Sequence, residues 1–159
     1  MSEDFKLNML KIVAESSDSK KLRRIAENAK KQKNAELEDA ARRRLYAVLP
    51  SAAPGTLEYD VWQSIHALED ILTQERGKTT RLGRTRQKIV RDGEKKTVAD
   101  LVTKSATEGF RMLVERHLVE LTFEAVALRH PDLFSAEVKA IATERLAEIG
   151  LDLGSSVDR

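Results

Sequence analysis

Cysteine is absent from this 159-residue chain. That excludes a disulfide framework and any thiolate chemistry, and it fits a reducing compartment. Aromatic residues are scarce at 4%, so the core is expected to consist of Leu, Val, Ile and Ala, with the single Trp62 and the four Phe as anchors within it. The same scarcity argues against a stacking platform for single-stranded nucleic acid, which needs exposed rings. Breakers are few, with 3 Pro and 7 Gly. No apolar run approaches the roughly 18 residues of a membrane span. The opening residues, Met1 to Lys6, are acidic where a signal peptide is basic, and no apolar stretch follows. The expectation is a cytoplasmic protein with no membrane contact.

What the chain does contain is 41% hydrophobic and 34% charged residues, a helix-rich globular composition. A chain of this length can bury roughly 70% of the surface its unfolded form exposes. Its overall charge of +2 conceals a partition. Residues 20–44 hold ten Lys or Arg against four acids, and residues 76–96 hold nine against two. These segments carry +6 and +7, which leaves −11 on the remainder. In residues 20–44 the acids are interspersed, as on a solvated helix face. In residues 76–96 seven excess charges repel one another unless an anionic partner compensates them.

Helical periodicity runs through most of the chain. Asp4 to Glu15 places Phe5, Met9, Ile12 and Val13 on one face. Asp18 or Ser19 can cap a helix carrying Leu22, Ile25, Ala26 and Ala29 inward. Asn34 ends it, and Ala35 to Leu49 aligns Leu37, Ala41, Leu45 and Val48, so residues 19–49 read as an αα-hairpin. The breaker Pro50-Ser51-Ala52-Ala53-Pro54-Gly55 marks a boundary. It separates an N-terminal unit, residues 1–49, from a main bundle, residues 56–150. Thr56 starts a long helix to Arg76 with a seam of Val61, Ile65, Leu68 and Leu72, and Gly77 ends it. Further helices are expected over Thr80–Asp92 with Leu82, Ile89 and Val90 inward, over Val98–Thr103 capped by Thr97, and from Ser105, which has capping-box spacing to Glu108. Thr122 caps Phe123–Arg129, and Ser135 caps a last helix closed by Gly150, with residues 151–159 a frayed tail. No segment alternates convincingly as a strand. The fold class expected is all-α, a multi-helix bundle with an N-terminal helical hairpin and a helix-turn-helix-like centre.

That centre, Thr80 to Glu115, is where chemistry is most concentrated. A helix, a Gly-containing turn and a short capped helix outline a helix-turn-helix module. Arg76, Lys78, Arg81, Arg84, Arg86, Lys88, Arg91, Lys95 and Lys96 supply cations, and Thr79, Thr80, Thr85 and Gln87 supply neutral donors. Phosphate contacts draw on these residue types. Arg84, Lys88 and Arg91 recur at i, i+4, i+7 and so share one helix face. Asp100 and Glu108 would be repelled by phosphates, so backbone binding is expected rather than base readout.

Enzymatic readings do not hold. Gly77-Lys78-Thr79 ends like a phosphate loop, but Leu72 stands where its partner glycine belongs and a helix precedes it. Asp92, Glu94 and Lys96 have the D-x-E-x-K spacing of metal-dependent nucleases, yet they fall in a helix-to-helix turn rather than on a strand. His66, Glu69 and Asp70 share a helix face without a further ligand to complete a metal site. His117 near a helix end and His130 before Pro131 read as structural. No catalytic residue, metal or cofactor is expected.

The stretch Glu75 to Ile89, with Gly109-Phe110 and Leu121 to Pro131, resembles small helical bacterial proteins of unassigned role. The likeness covers about half the chain and implies a bacterial cytoplasmic origin. Two classes of function follow from the residues themselves. One is a non-enzymatic regulator or accessory factor binding nucleic acid, duplex DNA above all, through residues 76–96, with the basic face of the 20–44 hairpin as a candidate second contact. The other is an interaction protein whose basic segments meet acidic surfaces of a protein partner or of a second copy in a homo-oligomer.

Overall fold

The computed structural model describes residues 2–105 and 107–157, with side chains through residue 150. Among the described residues it is all-helical, and no helix is long and apolar enough to cross a membrane. The chain divides into two compact units, Met1–Ser51 and Ala52–Arg159.

The first unit holds α1 (Glu3–Glu15), α2 (Ser19–Lys31) and α3 (Ala35–Val48). Each begins where a side chain satisfies a free backbone N–H. Ser2 accepts from Phe5, Asp18 from Lys20 and Lys21, and Asn34 from Leu37. The αα-hairpin forms as expected, with Lys33 at φ 57° in its bend. Leu22, Ile25, Ala26 and Ala29 are buried on α2, as are Leu37, Ala41 and Leu45 on α3. Arg44 donates to the Ser16 carbonyl at 2.9 Å and ties the end of α1 to α3. Phe5, expected in the core, is 50% exposed. Of α1 only Val13 is buried, because the contact face of this helix lies toward its C-terminal end.

The second unit contains α4 (Leu57–Arg76), α5 (Gly83–Asp92), α6 (Glu94–Thr103), α7 (Glu108–Glu115), α8 (Phe123–Arg129) and α9 (Ala136–Val157). Short 3-10 turns at Val119–Leu121 and Pro131–Leu133 flank α8. Its core joins Leu57, Val61 and Ile65 of α4 to Val98 and Val102 of α6, Val126 of α8 and Val138 of α9. Helix α6 packs against α4, α5, α8 and α9 and so runs through the middle of this unit.

Four boundaries differ from the sequence expectation, each for a local reason. Helix α5 begins at Gly83 rather than Thr80, because residues before it hydrogen-bond to α4 instead of to α5. Gly93, at φ 86° and ψ 166°, is the whole connection between α5 and α6. Its carbonyl accepts from both the N–H and the hydroxyl of Thr97, which therefore sits inside α6 rather than capping it. Thr107, not Ser105, accepts the Phe110 N–H at the start of α7. Gly150 does not stop α9. A mid-helix glycine costs about 1 kcal/mol but leaves the hydrogen-bond ladder intact, and no proline follows, so the helix continues to Val157. The expected frayed tail is thus helical as far as Val157, and its last two residues lie outside the described ones.

Candidate nucleic-acid interface

The basic segment is held in place by α4. Gly77, at φ 70°, ends that helix by donating to the Thr73 carbonyl at 2.9 Å. The chain then doubles back along α4. The Thr80 N–H donates to the Thr73 hydroxyl at 2.9 Å, and the Leu82 N–H donates to Glu69 Oε2 at 2.9 Å. Helix α5 starts from this anchor, with Leu82, Arg86 and Ile89 turned inward at i, i+4, i+7.

Arg86 is therefore not an outward cation. Its guanidinium forms a two-pronged pair with Glu69, both contacts at 2.7 Å, and lies 5.1 Å from the Trp62 ring centroid. Burial by itself would raise the Glu69 pKa, but the hydrogen bonds from Arg86 and the Leu82 N–H outweigh it and hold the carboxyl below its ordinary value.

Lys88 is corrected likewise. Its ammonium bridges Asp92 at 2.9 Å and Asp100 at 2.7 Å, and its side chain is 18% exposed. The acid on α6 expected to repel phosphates thus neutralises a cation of α5, and Lys96 adds a second contact to it at 3.1 Å. Val90, expected inward, is 88% exposed and stands on the outer face instead. The hydrogen bonds from Lys88 and then Arg91 hold the Asp92 carboxyl down at about 2. Stabilisation from a depressed carboxylate is complete above its unfolded pKa and disappears as pH falls through the folded one. Lys88→Met is therefore expected to lower the thermal midpoint at pH 7 and to make the loss of stability between pH 4 and pH 2 shallower than in the parent protein. Thermal unfolding of both proteins across that range checks this, and parallel pH profiles would contradict the bridge.

What remains outward is a set of cations on and beside α5. Arg76, Lys78, Arg81, Arg84 and Lys95 are exposed and form no ion pair among the described residues. Arg91 and Lys96 each meet one carboxylate but stay 67% and 60% exposed. On α5 the residues Arg84, Gln87 and Arg91 fall at i, i+3, i+7 and define its outer face, with Val90 beside them. The chain matches no protein-family model, no curated protein and no solved structure. Function must be argued from these residues.

The expected helix-turn-helix outline finds no support in the way α5 and α6 are joined and buried. Such modules join their helices through a turn of three or four residues, whereas one residue joins α5 to α6. Thr97, Val98 and Val102 of α6 are fully buried, so this helix is a core element. The second basic segment, residues 20–44, is also divided. Arg42 and Arg43 pair with Glu38 and Asp39 one turn earlier. The cations of α2 and its bend, among them Lys20, Arg23, Arg24 and Lys31, are exposed.

Several of the residues weighed for catalysis have structural partners. Gly77 belongs to the helix terminus, and Asp92 to the Lys88 bridge. Among the described residues no group of three or more His, Asp or Glu is placed to hold a metal ion. His130 Nε2 lies 2.7 Å from Asp60 Oδ2 and fastens the end of α8 to α4. His117 adopts φ 60° at the end of α7, where its N–H meets the Val114 carbonyl at 3.1 Å.

Proposed function

We propose that the second unit binds the backbone of duplex DNA through Arg76, Lys78, Arg81, Arg84, Arg91, Lys95 and Lys96, in a regulatory or accessory role without catalysis. The observation that carries this reading is the set of exposed cations on α5 and in the segments beside it, five of them without a carboxylate partner among the described residues. Such a cluster carries electrostatic self-repulsion that phosphates relieve. Gln87 and Thr79 add neutral donors suited to phosphate oxygens. The central position of α6 favours backbone contact over insertion of a reading helix.

If three to five of these cations meet phosphates, log K should fall against log salt with a slope of roughly −3 to −5. Arg84→Ala, Arg91→Ala and Lys95→Ala together should flatten that slope by up to about 3, with equal losses on unrelated sequences. The thermal midpoint should hardly move, because exposed substitutions cost less than about 0.5 kcal/mol each. A fluorescence-anisotropy titration at two salt concentrations measures both. No binding at about 50 mM salt, where electrostatic association is strong, would sink the proposal.

Val90 favours a second reading, since a bare aliphatic side chain amid cations suits an acidic protein surface with an apolar centre. In that case Val90→Ser would weaken self-association or partner capture while leaving the duplex titration unchanged.

A further inference from the structure

Within the second unit a cavity of about 150 Å³ lies between α4, α5, α6, α7 and α8. Leu68, Leu82, Leu101, Phe110, Leu113 and Phe123 form the apolar part of its wall. Gly109 lets α7 approach closely here, since a Cβ at that position would stand 3.2 Å from Leu68 Cδ1.

Of the polar residues on the wall, Thr107, Thr122 and Glu124 are satisfied, half-buried Thr85 makes no side-chain hydrogen bond among the described residues, and Ser64 is the one that is fully buried without a partner. Thr107 and Thr122 accept the N–H groups of Phe110 and Ala125, and Glu124 is paired with Arg145. Ser64 is 1% exposed, and its hydroxyl has no hydrogen-bond partner among the described residues. A serine inside a helix commonly returns its hydroxyl to a carbonyl one turn back. Ser64 makes no such bond and lines the cavity instead. A buried hydroxyl without a partner is costly and therefore points to one that is supplied from outside.

We infer that this cavity is a binding site for a small uncharged molecule with an apolar body about the size of one six-membered ring and one hydroxyl that pairs with Ser64. An apolar cavity of about this volume holds a benzene-sized molecule. The lining excludes a charged ligand, because the carboxylate on the wall is already neutralised by Arg145. The inference is independent of the nucleic-acid reading.

Phenol and toluene test it, since they share a shape and differ in the hydroxyl. Titrated into the ¹⁵N-labelled full chain, phenol should shift the amides of Ser64, Gly109 and Phe110 saturably. It should bind about five- to tenfold more tightly than toluene, the effect of one added hydrogen bond. Ser64→Ala should leave the fold and toluene binding intact and reverse the preference, because the phenol hydroxyl then loses water without gaining a partner. Leu101→Phe should weaken both by narrowing the cavity. Absence of saturable shifts with either compound would overturn the site. Equal binding of the two by the unaltered protein, or a phenol preference that survives Ser64→Ala, would overturn the role of the hydroxyl.

Discussion

Replacing Arg145 by methionine is expected to lower the stability of the second unit by about 3–5 kcal/mol, the usual cost of breaking one side of a buried ion pair. Arg145 projects from α9 and pairs with Glu124 of α8, the two side chains being 14% and 5% exposed. The same guanidinium donates to the Val102 carbonyl at 3.1 Å and the Lys104 carbonyl at 2.7 Å, at the C-terminal end of α6. It also stands 5.8 Å from the Phe110 ring centroid. One side chain thus closes the end of the central helix, where a cation also complements the helix dipole. Methionine keeps much of the aliphatic packing and removes every donor. The thermal midpoint should fall by more than about 10 °C. The double change Arg145→Met with Glu124→Leu should recover much of the loss, because what is costly is the unpaired carboxylate. A single variant within about 1 kcal/mol of the parent protein would show that α6 is closed by other means.

Periodicity and capping chemistry made most of this fold legible in the sequence. Thr56, Thr122 and Ser135 start the helices expected of them, and the stripe on α2 is buried, as are those on α3 and α4 except for half-buried Val48 and Leu72 at their C-terminal ends. Local rules failed where two structures competed for the same residues. Thr80 has the chemistry of a cap, but its N–H is taken by Thr73, seven residues back along the chain. Val90 and Ile89 are adjacent aliphatics, and only one can face inward. Periodicity from Leu82 through Arg86 selects Ile89, and Arg86 turns inward because of Glu69, a partner 17 residues away that no local spacing reveals.

The candidate interface was legible as a quantity of charge and not as a surface. Lys88 and Asp92 stand at i, i+4, a pairing readable from spacing alone. The Asp100 contact depends on how Gly93 folds α6 back against α5, and the Glu69 contact spans 17 residues. Both acids lie outside residues 76–96, so counting within the segment overstated its outward charge. The residues so lost, Arg86 and Lys88, are the ones that fix the helix. Those that stay outward, Arg84 and Lys95 among them, form no ion pair among the described residues.

Glu69→Ala is the corresponding test of how these cations are held, and it is expected to cost about 2–4 kcal/mol. One carboxylate accepts from the Leu82 backbone and from two nitrogens of Arg86, so its removal strands three donors at the start of α5. Glu69→Gln keeps an acceptor for Leu82 and should cost about half as much. Because the folded carboxyl is held below its ordinary value, its contribution is complete above the ordinary carboxylate pKa and disappears as pH falls through the depressed folded one. The gap between Glu69→Ala and the parent protein should accordingly narrow in acid. Hydrogen exchange supplies the local readout. The Leu82 amide should lose protection in Glu69→Ala while amides at Val61 and Val126, deep in the core, change only by the global loss. If Leu82 exchanges at the parent rate once that global loss is allowed for, Glu69 does not anchor α5. The outer cations would then owe their placement to Leu82 and Ile89 packing alone.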